Sequence, residues 1–498
     1  MLGFTGNGKP LALRKTLKLI SASASEEVWI NSCTSDVRTL RPGDLFVALA
    51  NDHFDGHDQM DEAQRLGCKA IVAERAIPGV QVPLFLVANS QEAYGILCQN
   101  LYDNPADKLK TVAVTGTNGK TCAVFLIAGV LAEAEHPVGI ISSIGIFDGE
   151  RMYPAVGTTP PANELAYWLS RMVLNGCTHL VVEASSYALD QSYFSGMAFD
   201  AVCLTDIRSD HIDYHKTLEH YRRTKLGIFR FAKKEAVVVC NADDPVTNAL
   251  IPLMDHPLLT TGIRQECEVN GMLIDKSRSE QTFYIMAGSE MVPTATRIIG
   301  ESHLRNALTA AAYGISQGID LRKVVRGIER VESIPGRMER IECGQPFGVF
   351  LDSAQTPESL AANLTTLREV TDGKIYCVFG STADGGTPEK RLKLGQTLHR
   401  LADHVILTAE SLTTERPDRA IREMLRGVGG MQKVQILRDR ADAISSTLAK
   451  MQPDDSVLIV GNGREVEPAC SDDTLPIDER TYVKDWLYEN QPHATSVF

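Results

Sequence analysis

The run Thr111-Val-Ala-Val-Thr-Gly-Thr-Asn-Gly-Lys-Thr121 leaves a chain few ways to fold. Alternating, β-branched residues from Thr111 to Thr115 read as a buried strand. The strand breaks at Gly116 and Gly119, and an apolar run from Cys122 through Ala123, Val124, Phe125 and Leu126 reads as a helix. A strand, a glycine loop and a helix start, in that order, make a cradle for phosphate. Backbone N–H groups over Gly116, Thr117, Asn118 and Gly119 face the anion, and the helix dipole favours it. Lys120 neutralises charge, and the Thr121 hydroxyl can reach Mg²⁺. The spacing is GxxGKT; the longer GxxxxGK[ST] form would need glycine at Val114. Cys122 borders the loop as a small core residue.

At 498 residues the chain exceeds what one core serves, so two to four domains are expected. Residues 1–105 read as a small α/β unit, with a strand at Asp44–Leu49, a polar loop at Asn51–His57, a helix near Met60–Leu66 and a strand at Ala70–Ala73. Asp103–Asp107 has linker composition. From Thr111 strands and helices alternate, the sign of a mostly parallel sheet covered by helices. Its strands include Leu180–Glu183, Ala201–Leu204 and Ala236–Cys240, and Leu258–Ile299 reads as a β-rich excursion. Ser333–Arg337 marks a second boundary. Beyond it Gly348–Asp352, Ile375–Gly380, His404–Thr408 and Ser456–Gly461 are apolar strands that end in polar or glycine-rich loops. Such carboxyl-end loops form the ligand crevice of open α/β sheets. The expected fold is α/β in three domains, 1–105, 106–335 and 336–498.

A net charge of −13 argues against nucleic acid or an anionic membrane as partner, while leaving room for a local basic phosphate pocket. No apolar run reaches the ~20 residues of a membrane span. Met1 to Lys18 lacks a contiguous signal-peptide core, which predicts a mature start. Eleven cysteines without CxxC pairs predict reduced thiols and a cytoplasmic location.

A carboxylate at a strand end can bind Mg²⁺ directly, which makes Glu183 a candidate ligand. Taken alone, His211 reads as a hydrogen-bonded loop histidine and Lys225 as a solvated helix lysine. The combined pattern reads otherwise. TGTNGKT, then Glu183-Ala-Ser-Ser-Tyr-Ala-Leu-Asp-Gln191, then Ser209-Asp-His211 with Asp213-Tyr-His215, Tyr221 and Lys225 resembles the Mur ligases, most of all their E-type branch, the UDP-N-acetylmuramoyl-tripeptide synthetases. Asp36-Val-Arg38, Pro42–Leu49 and Asp55-Gly-His57 resemble that family's uridine-nucleotide domain. Asn241–Asp244, Asn306 and Gly336-Arg-Met-Glu339 resemble its ATP-side motifs. Asp352–Leu360 resembles its DYAHTPDSL, and Gly461-Asn-Gly-Arg-Glu465 its GKGHE.

The resemblance implies a small uridine-nucleotide domain, a central P-loop ATPase domain and a Rossmann-like C-terminal domain, in a monomer. It implies an ATP-dependent amide ligase for peptidoglycan precursors that joins a free amino acid to UDP-MurNAc-L-Ala-D-Glu through an acyl phosphate. ATP would lie on Gly116–Cys122, Asn306, Arg337 and Asp352. Thr121, Glu183, His211 and a carbamate formed from CO₂ on Lys225 would hold two Mg²⁺ ions, with Lys120 acting on the transferred phosphoryl group. Arg38, Thr158, Thr159, Ser185 and Gln191 would bind the UDP-substrate. Glu410, Ser411, Leu412, Thr413, Gly461 and Glu465 would receive the amino acid.

Several positions depart from the family pattern. Glu410–Thr413 stands where diaminopimelate-adding enzymes carry Asp-Asn-Pro-Arg, and Gly385 replaces a second arginine. Losing a bidentate arginine removes much of the recognition of a distal carboxylate. Tyr193 replaces an arginine, Tyr187 and Gln355 histidines, Val37 a serine and His303 an asparagine. Unchanged chemistry with altered substrates is one reading, so a paralogous ligase with another acyl substrate stands beside the orthodox reaction. A catalytically silent nucleotide-binding protein is the third alternative.

Overall fold

The computed structural model describes residues 9–23, 25–51, 54–381, 387–409, 417–461 and 478–490. Three sheets carry the architecture. The first runs Leu19–Ala22, Leu84–Val87, Ala70–Ala73, Leu45–Val47 and Cys33–Thr34 in spatial order, parallel except for the antiparallel Leu19–Ala22 edge. The Asp44–Leu49 strand of the sequence reading is shorter than expected. The Asp44 carboxylate accepts the Arg41 amide at 2.8 Å and so belongs to the turn, and the strand starts at Leu45.

The central sheet has eleven strands. Its parallel core runs Val138–Ile141, His179–Glu183, Lys110–Thr115, Phe199–Leu204, Ala232–Asn241 and Leu258–Gly262. The first four of these are buried almost throughout, which is why they read as near-continuous apolar runs. One face is covered by helices Lys120–Glu133, Glu301–Ser316 and Leu321–Glu329, the other by Ala162–Leu174. Each fully buried Val, Leu or Ile contributes about 1.5–3 kcal/mol. The β-rich excursion is present as Val269–Lys276, Gln281–Ala287 and Glu290–Thr296, antiparallel to one another at one edge.

The third sheet orders Glu339–Arg340, Gly348–Asp352, Ser456–Val460, Ile375–Ser381, His404–Ala409 and Val434–Ile436, all parallel but the first. Asp103–Asp107 is a packed connector and not a loose linker. Asp103 and Asn104 take positive φ, and a short turn at Pro105–Lys108 drives Ala106 into the core. No helix of the described residues is long and apolar enough to cross a membrane. The described cysteines are free thiols.

Candidate active site

Adjacent parallel strands bring four carboxyl ends side by side. Ser142-Ser143 follows Val138–Ile141, Glu183 ends its strand, Gly116 follows Lys110–Thr115, and Thr205–His211 follows Phe199–Leu204. The loop turns tightly at Gly116 (φ 151°) and Gly119 (φ 84°). A Cβ at Gly116 would run into the Thr205 hydroxyl, and one at Gly119 into the Asn306 amide oxygen. Gly119 in the left-handed region caps the helix, so the helix begins at Lys120, two residues before the expected Cys122. Lys120 and Thr121 therefore occupy its first turn.

Around the loop the side chains form one connected set. Lys120 Nζ donates to the Gly116 and Thr117 carbonyls at 3.1 and 3.0 Å. Thr121 Oγ1 lies 3.1 Å from Ser143 Oγ, and the Ser143 amide donates to Glu183 Oε1 at 3.0 Å. Arg337, from the segment leading into the third sheet, donates to the Thr121 and Ser143 hydroxyls at 3.0 and 3.2 Å. Asn118 donates through its amide to Asp206 Oδ1 at 2.7 Å. Thr117 Oγ1 is 2.9 Å from the Tyr221 hydroxyl. Asp352 is buried beneath Arg337, where burial raises its pKa against the pull of the guanidinium. Its carboxylate accepts the Met338 amide at 2.7 Å. Cys122 is half-buried beside the core of the third sheet, and burial pushes its thiol up to about 12.

Lys225 is 1% exposed on helix Leu218–Leu226. Its Nζ donates to the Gly116 carbonyl at 2.6 Å and to Thr115 Oγ1 at 3.4 Å. Burial, reinforced by the Lys120 charge, holds this amine well below the usual lysine range; Asp210, Asp206 and Glu183 oppose the shift. His211 sits in the left-handed region (φ 50°), 3.4 Å from Asp210, and feels the charges of both Lys120 and Lys225. Asp210 in turn pairs with Lys390 at 2.8 Å, from helix Pro388–Leu401.

Thr159, Ser185 and Gln191 lie behind Glu183. Thr159 Oγ1 donates to the Glu183 carbonyl at 2.7 Å and to Ser185 Oγ at 3.1 Å, with Thr158 half-buried beside it. Gln191 bridges Gln91 of the first sheet's unit at 2.6 Å and Tyr214 at 2.8 Å. Arg38 stands apart, exposed and forked onto Asp36. Gly461 donates its amide to the Asp352 carbonyl at 3.1 Å. Glu410, Ser411, Leu412, Thr413, Glu465 and Gly385 lie outside the described residues.

Sequence reasoning missed Ser143, Asp206, Asp210 and Lys390. Their signals were a serine pair after an apolar strand, two aspartates in the loop Thr205–His211, and nothing distinctive for Lys390. The donors at the loop fit Mg²⁺, since the Thr121 hydroxyl and Glu183 carboxylate are oxygen ligands joined through Ser143.

Asn306 and His303 share helix Glu301–Ser316. His303 is buried, and neither ring nitrogen has a hydrogen-bond partner among the described residues. Burial lowers its pKa to about 4. The unfolded chain therefore binds the extra proton between pH ~6.5 and the folded value, and stability falls as pH drops through that window. His303→Leu should remove up to about 3 kcal/mol of this acid sensitivity. Thermal midpoints from pH 7 to 4 for both proteins check it; parallel curves would refute a neutral buried imidazole.

The sequence matches the family model described as Mur ligase middle domain over residues 114–314, and that described as Mur ligase, glutamate ligase domain, over 336–463. A UDP-N-acetylmuramoyl-L-alanyl-D-glutamate–2,6-diaminopimelate ligase of Geobacillus kaustophilus (strain HTA426) is 33% identical over 456 residues, spanning 90% of this chain and 93% of that protein. A protein of the same description from Clostridium tetani (strain Massachusetts / E88) is 30% identical, spanning 96% and 100%. Among solved structures, one of a ligase of that description superposes with TM-score 0.67 at 23% identity, covering 97% of this chain and 99% of the other. MurF from Acinetobacter baumannii gives 0.64 at 19%, covering 91% and 96%. The chain belongs to the Mur ligase family and is a ligase.

Proposed function

We propose that this ligase extends UDP-MurNAc-L-Ala-D-Glu by one amino acid in the making of peptidoglycan precursors, at the cost of one ATP. A carboxylate oxygen of the D-glutamate attacks the γ-phosphorus of ATP, the bond to the β-phosphate oxygen breaks, and ADP departs. The amine of the amino acid then attacks the acyl carbon. Phosphate leaves with the bridging oxygen, the amine gives up a proton, and an amide remains.

The observation that carries this reading is the buried Lys225 amine held on the phosphate loop. A charged lysine in that position would oppose a metal ion, whereas a neutral amine can add CO₂ and become an anionic oxygen donor. Thr121, Glu183, His211 and the Lys225 carbamate would then hold Mg²⁺, which neutralises charge on phosphoryl oxygens when bound. Lys120 and the loop amides bind and orient the phosphates, and Arg337 comes to the same point from the other side. Lys390 on Asp210 and Arg337 on Thr121 tie the third sheet's elements to the loop, which supports a crevice closed to water.

Hydroxylamine trapping tests the acyl phosphate. With ATP and the nucleotide dipeptide but no amino acid, the D-glutamyl hydroxamate should accumulate; ADP formation without hydroxamate would count against the intermediate.

The incoming amino acid is set by Glu410–Thr413. The relatives are named for 2,6-diaminopimelate, but where the family resemblance expects the arginine of Asp-Asn-Pro-Arg this chain has Thr413. We infer an amino acid other than diaminopimelate. Thr413→Arg should raise the kcat/KM for diaminopimelate by about 10-fold or more, the scale of one charge-assisted fork. An unchanged preference among amino acids would refute the assignment.

A further inference from the structure

A second group of donors takes no part in the chemistry above. Asp190 ends helix Ser186–Asp190, His215 ends the short helix Ile212–His215, and His220 lies near the start of Leu218–Leu226. One ligand atom from each lies within 4.8 Å of the others, and among the described residues no other three His, Cys, Asp or Glu side chains converge in this way.

His215 is 1% exposed, yet neither of its ring nitrogens has a hydrogen-bond partner among the described residues. An unpaired buried polar group costs about 1–3 kcal/mol, and here, unlike at His303, the unpartnered imidazole lies beside two other metal-ligating side chains. His220 Nδ1 is 3.1 Å from the His215 carbonyl oxygen. That bond puts the proton on Nδ1 and leaves the Nε2 lone pair to coordinate. Asp190 Oδ2 accepts the Tyr214 hydroxyl at 2.7 Å, while Oδ1 lies 3.9 Å from His220 Nε2. A backbone carbonyl behind one histidine and a tyrosine behind the carboxylate are the outer contacts that orient metal ligands. The His220 side chain is 48% exposed, which gives an ion access and leaves room for water as a further ligand. The ligand atoms must draw together by about 1 Å to reach bonds of ~2.0–2.1 Å.

We propose that Asp190, His215 and His220 bind one divalent transition-metal ion of the zinc class, distinct from the Mg²⁺ ligands at the phosphate loop. Two imidazoles and one carboxylate favour zinc-class ions over Mg²⁺. The ion joins helix Ser186–Asp190 to the helix that carries Lys225. Tyr214 hydrogen-bonds both Asp190 and Gln191, so the clamp also fixes the wall at which Gln191 meets Gln91.

The test uses the full chain stripped with chelator and titrated with Co²⁺, read by its visible absorption, with Zn²⁺ as displacing ion. Wild type should take up one equivalent with the intense bands of a four-coordinate nitrogen–oxygen site, lose them to Zn²⁺, and gain thermal stability on binding. His220→Asn, at an exposed position, should weaken that binding by about 100-fold while the metal-free protein melts unchanged. Asp190→Asn should do the same, apart from any loss at the Tyr214 contact. Co²⁺ at the oxygen donors of the phosphate loop would give only weak bands that persist in both variants. Strong bands retained in His220→Asn, or none in wild type at millimolar Co²⁺, would overturn the site.

Discussion

Lys225→Met is expected to reduce turnover by about 10³-fold or more, the scale of losing a group that stabilises the transferring phosphoryl charge. Methionine keeps the length and removes the buried amine, so the variant should melt no lower than the native chain. Burial depresses the amine's pKa from 10.5, so the unfolded chain holds an extra proton between the folded value and 10.5. The native protein's stability therefore rises with pH across that window, and Lys225→Met lacks the rise. Lys225→Ala opens space beside the Gly116 carbonyl, and a short carboxylic acid should partly restore its turnover by supplying the missing anionic oxygens. Full activity in either variant would sink the carbamate role. A dead Lys225→Ala protein that no carboxylic acid rescues would leave the amine itself as the functional group. Initial rates with and without acetate, in buffers of controlled bicarbonate, distinguish these outcomes.

Lys120→Ala has the second large effect, expected at about 10²–10³-fold in kcat for the loss of one preorganised cationic donor. Two causes act together. The phosphates lose their neutralising ammonium, and Lys225 loses the neighbouring charge that helps hold its amine low. With that charge gone, more of Lys225 is protonated at a given pH and less can add CO₂. The residual activity of Lys120→Ala should thus rise with pH and bicarbonate more steeply than that of wild type. Identical pH profiles would show that Lys120 acts on phosphate alone. Lys120→Arg keeps the charge and should preserve the wild-type profile even where its kcat is low.

The phosphate loop was legible because its glycines, lysine and hydroxyl are local in sequence, and their geometry follows from one strand feeding one helix. Helix Lys120–Glu133 started earlier than expected because Gly119 takes the left-handed cap, which composition does not reveal. Glu183 is a candidate from its place at a strand end, whereas His211 and Lys225 are readable only as members of a family pattern. Each alone is an ordinary strand-end acid, loop histidine or helix lysine, and their convergence depends on strand order in the sheet. Ser143 went unnoticed because its role comes from the neighbouring strand, which lays it between Thr121 and Glu183. Lys390 was invisible for a similar reason: it reaches Asp210 across 180 residues of sequence. The Asp190–His215–His220 group has the same character, since three short helices must meet before it exists.

The most direct measurement is phosphate release from ATP and Mg²⁺ by the purified protein, with UDP-MurNAc-L-Ala-D-Glu and a panel of single amino acids that includes meso-diaminopimelate, lysine and small neutral residues. Turnover is expected to require both the nucleotide dipeptide and one amino acid other than diaminopimelate, with one phosphate released per amide formed. Phosphate release that ignores the nucleotide dipeptide, or none with any amino acid from protein that binds ATP, would contradict it and point to a Mur-family ligase with a different acyl substrate.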